Sequence, residues 1–250
     1  MRKRFVFIGI LLWSLFFNIV LVVLLYYVIR IKTDFYDRLC AKMGYGSYSV
    51  VKNRHSIEHR CLEGWANSLS KMNIEADAVF YGNSITFRSD FRNDYPKLCI
   101  CNMGCNRDDL DDMIHRSFLI KSVHPHKIFI LGGINGLKDY SLQDFRKKYE
   151  LLIDTIIKQN PNSKLFLQSL LPVNINYEIG SRYVGFQDKI KDANIIIQKI
   201  AEKKQCSYLD IYSLYHTNDS MPCRFTSDGL HLKPEAYSIW SRYLYSYLNE

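Results

Sequence analysis

The first 32 residues contain no acidic side chain, and from Phe5 to Ile29 they contain no charge of either sign. At about 1.5 Å of rise per residue, that run forms a helix on the order of 37 Å long, enough to cross a hydrocarbon core of about 30 Å. No small-residue cleavage site precedes Arg30, and no Cys stands where a lipid anchor would need one. These absences favour a retained membrane helix over a removed signal peptide or a lipoprotein. Arg2, Lys3 and Arg4 outweigh Arg30 and Lys32 as flanking charge. The positive-inside rule then predicts a cytoplasmic N-terminus and a body outside the cytoplasm, in a periplasm or at a cell surface.

Past that run the chain lacks a polybasic block and any ladder of alternating basic and aromatic residues. The formal charge of +8 is mostly juxtamembrane: five basic residues flank the apolar run, leaving +3 for the body. Nucleic-acid binding is therefore excluded as an expectation. Internal repeats and low-complexity segments are absent too. The seven cysteines do not follow the spacing of a disulfide scaffold or a zinc ribbon, and their odd number leaves at least one unpaired in a monomer. Cys99, Cys101 and Cys105 could be imagined as metal ligands, but Cys99 and Cys101 fall at period two in an apolar run and read as buried small hydrophobes on a strand. An oxidising location would allow one or two disulfides, with the pairing left open. The composition, 48% hydrophobic and 14% aromatic over 250 residues, supports one sizeable core. Three parts are expected: a membrane anchor with basic flanks at 1–32, a spacer and leading helix at 33–75, and a folded domain at 76–250.

What is present in that domain alternates. Ala78-Val79-Phe80-Tyr81 is an apolar, β-prone run that stops at Gly82-Asn83-Ser84. Leu98 to Asn102 reads as a second strand, followed by Met103-Gly104-Cys105-Asn106 and a helical stretch from Asp108 to Val123. Lys127 to Leu131 is a third strand, fully apolar and so central, ending in Gly132-Gly133-Ile134-Asn135-Gly136. A helix near Leu142 to Gln159, a strand Lys164 to Ser169, a helix near Gln187 to Lys203, a strand Ser207 to Ile211 and a closing helix from Pro234 complete the series. The leading helix, His55 to Met72, carries Ile57, Cys61, Leu62, Trp65 and Leu69 at helical spacing. Such alternation predicts an α/β fold, a parallel sheet covered by helices on both faces.

Ligands of open parallel sheets bind beyond the carboxyl ends of the strands. Ser84, Gly104 and Asn135 stand at three such ends, and a late loop carries Asp228-Gly229-Leu230-His231. A strand-to-helix turn lifts the Ser84 hydroxyl out of the sheet beside a helix N-terminus that favours negative charge, and the Gly before it leaves room for a substrate. Asp228 can orient His231, and His231 can take the Ser84 proton, which a serine needs in order to become a nucleophile. The N–H groups of Ser84 and Gly104 and the side-chain amide of Asn135 are candidate donors to an oxyanion. Taken one at a time, each of these residues has an ordinary structural reading, as a cap, a turn former or a loop hydrogen bond.

Four blocks in order, Gly82-Asn83-Ser84-Ile85-Thr86, Asn102-Met103-Gly104, Gly133-Ile134-Asn135 and Asp228-Gly229-Leu230-His231, resemble the SGNH/GDSL ester hydrolase family, also described as GDSL-like lipases and acylhydrolases. Leu165-Phe166-Leu167-Gln168-Ser169-Leu170-Leu171-Pro172-Val173-Asn174 is similar to the fourth-strand segment of its bacterial acylhydrolases, and the likeness runs from about Asp77 to Tyr247. The resemblance implies a three-layer α/β/α, flavodoxin-like sandwich, here preceded by one transmembrane helix, with no metal and no organic cofactor. It implies Ser84 as nucleophile, His231 as base, Asp228 as its orienter, and Gly104 and Asn135 as oxyanion donors. Two positions depart from it: Asn83 and Gly136 stand where the family has Asp, both in loop-supporting places. The expected activity is a serine esterase removing short acyl groups, acetyl above all, from a glycan or small ester. The alternatives are O-acyl transfer at the same site, a lysophospholipase-type or lipase-like esterase, and a non-catalytic glycan-binding protein. The partners expected are an acyl ester or O-acylated glycan and the membrane through residues 5–29; oligomeric state stays open.

Overall fold

The computed structural model describes residues 52–249 and, ahead of them, helical pieces at 13–14, 17–22 and 25. The chain divides into two units, residues 1–56 and 57–250. In the first unit the described pieces are exposed, and Asn18 Nδ2 donates to the Ser14 carbonyl at 2.9 Å. Among the described residues no helix is long and apolar enough to cross a membrane. Most of the Phe5–Ile29 run lies outside the described residues, as does the spacer ahead of residue 52.

The second unit is built on five short strands: β1 (Ala78–Gly82), β2 (Ile100–Gly104), β3 (Lys127–Leu131), β4 (Lys164–Gln168) and β5 (Ser207–Leu209). All are parallel, in the spatial order β2-β1-β3-β4-β5. That order places the switch point of a doubly wound sheet between β1 and β3, the two strands whose ends carry Ser84 and Asn135. β1 is buried along its whole length because helices cover both faces, which is why its sequence is a continuous apolar run. The helices are α1 (Lys52–Lys71), α2 (Ser84–Phe87), α3 (Phe91–Asp94), α4 (Leu110–Arg116), α5 (Leu142–Gln159), α6 (Gln187–Lys204) and α7 (Pro234–Asn249).

Strict period two along each strand divides the core into two layers. On one face Phe80, Phe129 and Phe166 stand in register on β1, β3 and β4, with ring centroids 4.9 and 4.5 Å apart. Phe91 of α3 and Trp240 of α7 close over them, 5.0 Å apart and edge to face, and Trp240 Nε1 donates to Gln168 Oε1 at 2.8 Å. On the other face Tyr81 reaches α4, where its hydroxyl donates to the Met113 carbonyl. The three-layer α/β/α architecture is thus that of an SGNH-type sandwich.

The observed boundaries differ from the sequence reading at several element ends, two of which bear on the site. β2 runs from Ile100 to Gly104 rather than from Leu98 to Asn102, because pairing with β1 starts at Ile100 opposite Ala78. Cys99 therefore precedes the strand and is exposed, while Cys101 and Cys105 are buried, so the burial expected for Cys99 is corrected. The helix expected over Asp108 to Val123 is α4 followed by a 3-10 segment, Ser117–Val123, that ends in left-handed His124. The six cysteines among the described residues are all free.

Candidate active site

β1 ends at Gly82, and Asn83 caps the single-turn α2 by accepting from the Ile85 N–H at 3.0 Å through Oδ1. Ser84 is the first residue of that turn, and Tyr237 of α7 pins it from behind by donating to the Ile85 carbonyl at 2.7 Å. A four-residue helix has little dipole, so any help to a negative charge here comes from individual N–H groups rather than a macrodipole. The Gly82 expectation is also corrected. A Cβ at Gly82 would lie 2.3 Å from Thr86 Oγ1 and 2.4 Å from the Leu131 carbonyl oxygen, so the space is closed by the protein's own chain and does not belong to a substrate.

The other half of the site comes from the loop before α7. Asp228 Oδ1 accepts the backbone N–H groups of Leu230 and His231 at 2.9 and 2.8 Å, and Oδ2 lies 2.6 Å from His231 Nδ1. His231 Nε2 is 2.9 Å from Ser84 Oγ, across 147 residues of chain. This pair of contacts selects the tautomer with the proton on Nδ1, which donates to the carboxylate and leaves Nε2 to accept from the serine hydroxyl. Burial pushes the Asp228 carboxyl up, but the backbone and ring N–H groups of His231 and the Leu230 N–H outweigh it and hold the group below its usual range. Asp228 is therefore ionised at neutral pH. Arg88 Nη1, largely exposed, lies 3.9 Å from Asp228 Oδ2 and lines a cleft of about 510 Å³ with Asp90, Asp94, Leu232, Pro234, Tyr237 and Ser238.

Gly229 makes the Asp–His turn possible. Its φ is +86°, and a Cβ there would meet the Asn174 carbonyl oxygen at 2.3 Å. Gly229→Ala is expected to destabilise the fold by about 1–3 kcal/mol and to disturb the Ser84–His231 bond, read as a lower melting temperature together with lost esterase activity.

On the oxyanion side the structure brings Asn135 to the loop after β2: Asn135 Nδ2 donates to the Asp108 carbonyl at 2.9 Å with one of its two hydrogens. Gly104 is different. Its N–H donates to Asn102 Oδ1 at 2.9 Å, and a Cβ there would collide with the Phe87 backbone N at 2.2 Å. Gly104 is thus a close-packing residue with its N–H already committed, which corrects its assignment as an oxyanion donor. In the turn that follows, the Cys105 N–H donates to the Gly82 carbonyl, the Asn106 N–H to Glu58 and the Asp108 N–H to the Cys105 carbonyl. Arg107, in the same turn, is held at φ +66°.

Beneath the turn lies a group that the sequence reading missed. Arg116, 1% exposed, donates through Nε to Asp108 Oδ2 at 2.5 Å, through Nη1 to the Met103 carbonyl and through Nη2 to the Gly82 carbonyl, both at 2.8 Å. One guanidinium thereby ties the ends of β1 and β2 to the Asp108 turn, with its Cζ 4.3 Å from the Tyr81 ring centroid. Burial raises the Asp108 carboxyl, but Arg116 and the His59 bond hold it below the usual range. Asp112 is pushed up to about 7 by burial and by Asp109 and Asp108. An Arg on an otherwise apolar helix face gives no sequence signal of burial.

The GDSL-like lipase/acylhydrolase pattern matches residues 80–239, which include Ser84, Asn135, Asp228 and His231. The chain belongs to the GDSL-like Lipase/Acylhydrolase family. It is accordingly an ester hydrolase. No curated protein matches its sequence. Similar solved structures include a Streptococcus pneumonia protein with the provisional name platelet activating factor, 22% identical over 80% of this chain and 97% of that one, TM-score 0.70. A GDSL-like lipase from Bacteroides thetaiotaomicron is 18% identical over 75% and 97%, TM-score 0.63. A lipase/acylhydrolase from Enterococcus faecalis is 20% identical over 68% and 94%, TM-score 0.55. At these identities the likeness speaks to the fold.

Within this GDSL-like family member, the two departures from the family acids have local explanations. Asn83 Oδ1 provides the cap that an Asp oxygen would, at the cost of a buried Nδ2 without a partner among the described residues. A side chain at Gly136 would run into the Tyr140 ring, 2.3 Å from the nearest carbon.

Proposed function

We propose that this GDSL-like acylhydrolase is a serine esterase, held at a membrane by its N-terminal run, that removes acetyl groups from a glycan outside the cytoplasm. The observation that carries the reading is the unbroken relay from Ser84 Oγ to His231 Nε2 at 2.9 Å and from His231 Nδ1 to Asp228 at 2.6 Å. In the proposed cycle Ser84 Oγ attacks the ester carbonyl while His231 takes its proton. The oxyanion receives the Ser84 N–H and the second hydrogen of Asn135 Nδ2. Collapse expels the alcohol, which takes the proton from His231. A water, deprotonated by His231, then releases the acid and restores Ser84. Arg88, Asp90, Asp94 and Ser238 offer charged and hydroxyl groups to a hydrophilic substrate in the cleft beside Asp228, alongside the apolar Leu232, Pro234 and Tyr237.

A fluorophosphonate probe should label the full-length protein in isolated membranes and fail to label Ser84→Ala; equal labelling of both removes the serine mechanism. Asn135→Ala should lower kcat on p-nitrophenyl acetate by about 10²–10³ with little change in KM, since the bond to the oxyanion is strongest in the transition state. A folded Asn135→Ala protein with wild-type kcat refutes the oxyanion role. The topology is read by a C-terminal alkaline phosphatase fusion, expected to be active; an inactive fusion beside a fluorescent cytoplasmic reporter at the same point reverses it.

A further inference from the structure

A cluster of side chains of metal-ligating types converges at the Asp108 turn. His59 on α1, Cys105 and Asp108 each offer a ligand atom, and these atoms lie within 4.8 Å of one another. His59 Nε2 is 3.0 Å from Asp108 Oδ1, while Asp108 Oδ2 is taken by Arg116. Glu58, the neighbour of His59, brings Oε2 to 3.4 Å from Cys105 Sγ. The donors come from two segments 47 to 49 residues apart, so their convergence is tertiary and not a by-product of a shared turn.

We propose that His59, Cys105 and Asp108, with Glu58 as a fourth ligand, bind a zinc ion that clamps α1 to the turn carrying Arg107 and Asp108. Three donor chemistries, imidazole, thiolate and carboxylate, fit zinc and exclude the oxygen-only preferences of magnesium and calcium. The spacing suits a tetrahedral site. Bonds of about 2.0–2.3 Å place ligand atoms some 3.3–3.7 Å apart, so the His59, Cys105 and Asp108 atoms, within 4.8 Å of one another, close on the ion with movements of about 1 Å, and Glu58 swings in from its contact with Cys105. The charges also cancel: Glu58, Asp108 and a Cys105 thiolate carry three negative charges, offset by the dication and the buried Arg116. Binding breaks the Cys105 S–H bond, forms a sulfur–zinc bond and sends the proton to solvent, while His59 binds through Nε2 with its ring proton on Nδ1. Four ligands and no open position make this a structural site, not a hydrolytic one. It is independent of the esterase reading.

The test uses full-length protein in detergent, stripped with a chelator, given zinc, and assayed for retained metal after desalting. One zinc per chain is expected in wild type and in the exposed-thiol variants Cys99→Ser and Cys223→Ser. Affinity in Cys105→Ser and His59→Gln should be weaker by at least about 100-fold, the upper range for losing even an indirect partner. Cobalt(II) in place of zinc should give a near-ultraviolet thiolate-to-cobalt band in wild type that Cys105→Ser lacks. Wild type that retains no zinc, a cobalt complex without the band, or equal retention in His59→Gln overturns the proposal. Because wild type and His59→Gln decide it, a Cys105→Ser protein that fails to fold does not block the test. Metal content and the cobalt spectrum are read without substrate, so failure here is separate from failure of the serine mechanism.

Discussion

Ser84→Ala is expected to lower kcat/KM for p-nitrophenyl acetate by at least about 10⁴-fold, and by as much as about 10⁶-fold, because a serine relay loses nearly all its covalent chemistry with its nucleophile. Oγ is the atom that His231 Nε2 faces at 2.9 Å, and Asn83, Ile85 and Tyr237 fix the surrounding turn without using that hydroxyl. The fold should therefore survive, with an unchanged melting temperature. His231→Ala should cost a similar factor, and the Ser84→Ala/His231→Ala double variant little more than either alone. Losses that multiply in the double variant would mean that the two residues do not share one proton transfer.

The largest stability effect is expected at Arg116. Arg116→Met keeps much of the side-chain volume but leaves the Asp108 carboxylate, 0% exposed, without its guanidinium, and frees the Met103 and Gly82 carbonyls. Removing one partner of a buried pair typically costs about 3–5 kcal/mol, which for a body of this size corresponds to a fall in melting temperature of about 6–20 °C. Adding Asp108→Leu should recover part of that loss, since a pair replaced by apolar groups leaves no buried charge. A single variant as stable as wild type, measured by thermal unfolding, would show that the guanidinium does not hold the strand ends.

Much of this molecule was legible before any coordinates. The positions of β1 and β3 follow from apolar runs too short for buried helices and bounded by Gly, because a parallel strand buried on both faces must be apolar at every position. The bounds of α5 could be read directly because a long amphipathic pattern bears a cap at one end: Ser141 accepts the Asp144 N–H at 3.0 Å, and the turn that follows Asn160 stops the helix. Ser84, Asp228 and His231 could be read as a set because a proton relay needs a serine at a strand end and an Asp–His pair on one turn, and the structure brings the three within hydrogen-bond distance.

Residue identity did not reveal which backbone donors were still available. Only the path of the chain at the end of β2 commits the Gly104 N–H to Asn102 and holds Arg107, three residues on, at a φ that its side chain disfavours. Nor could the sequence distinguish a Gly that admits a substrate from one that admits the protein's own backbone, as Gly82 does against Leu131. The sequence by itself determined the layered α/β architecture and the chemistry-bearing residues, because periodicity and residue type are local properties of a chain. The tertiary structure alone decided the burial of Arg116, the convergence of Glu58 and His59 on the Asp108 turn, and the direction of each N–H. These depend on contacts between segments tens of residues apart, whose geometry is set when the helices close over the sheet.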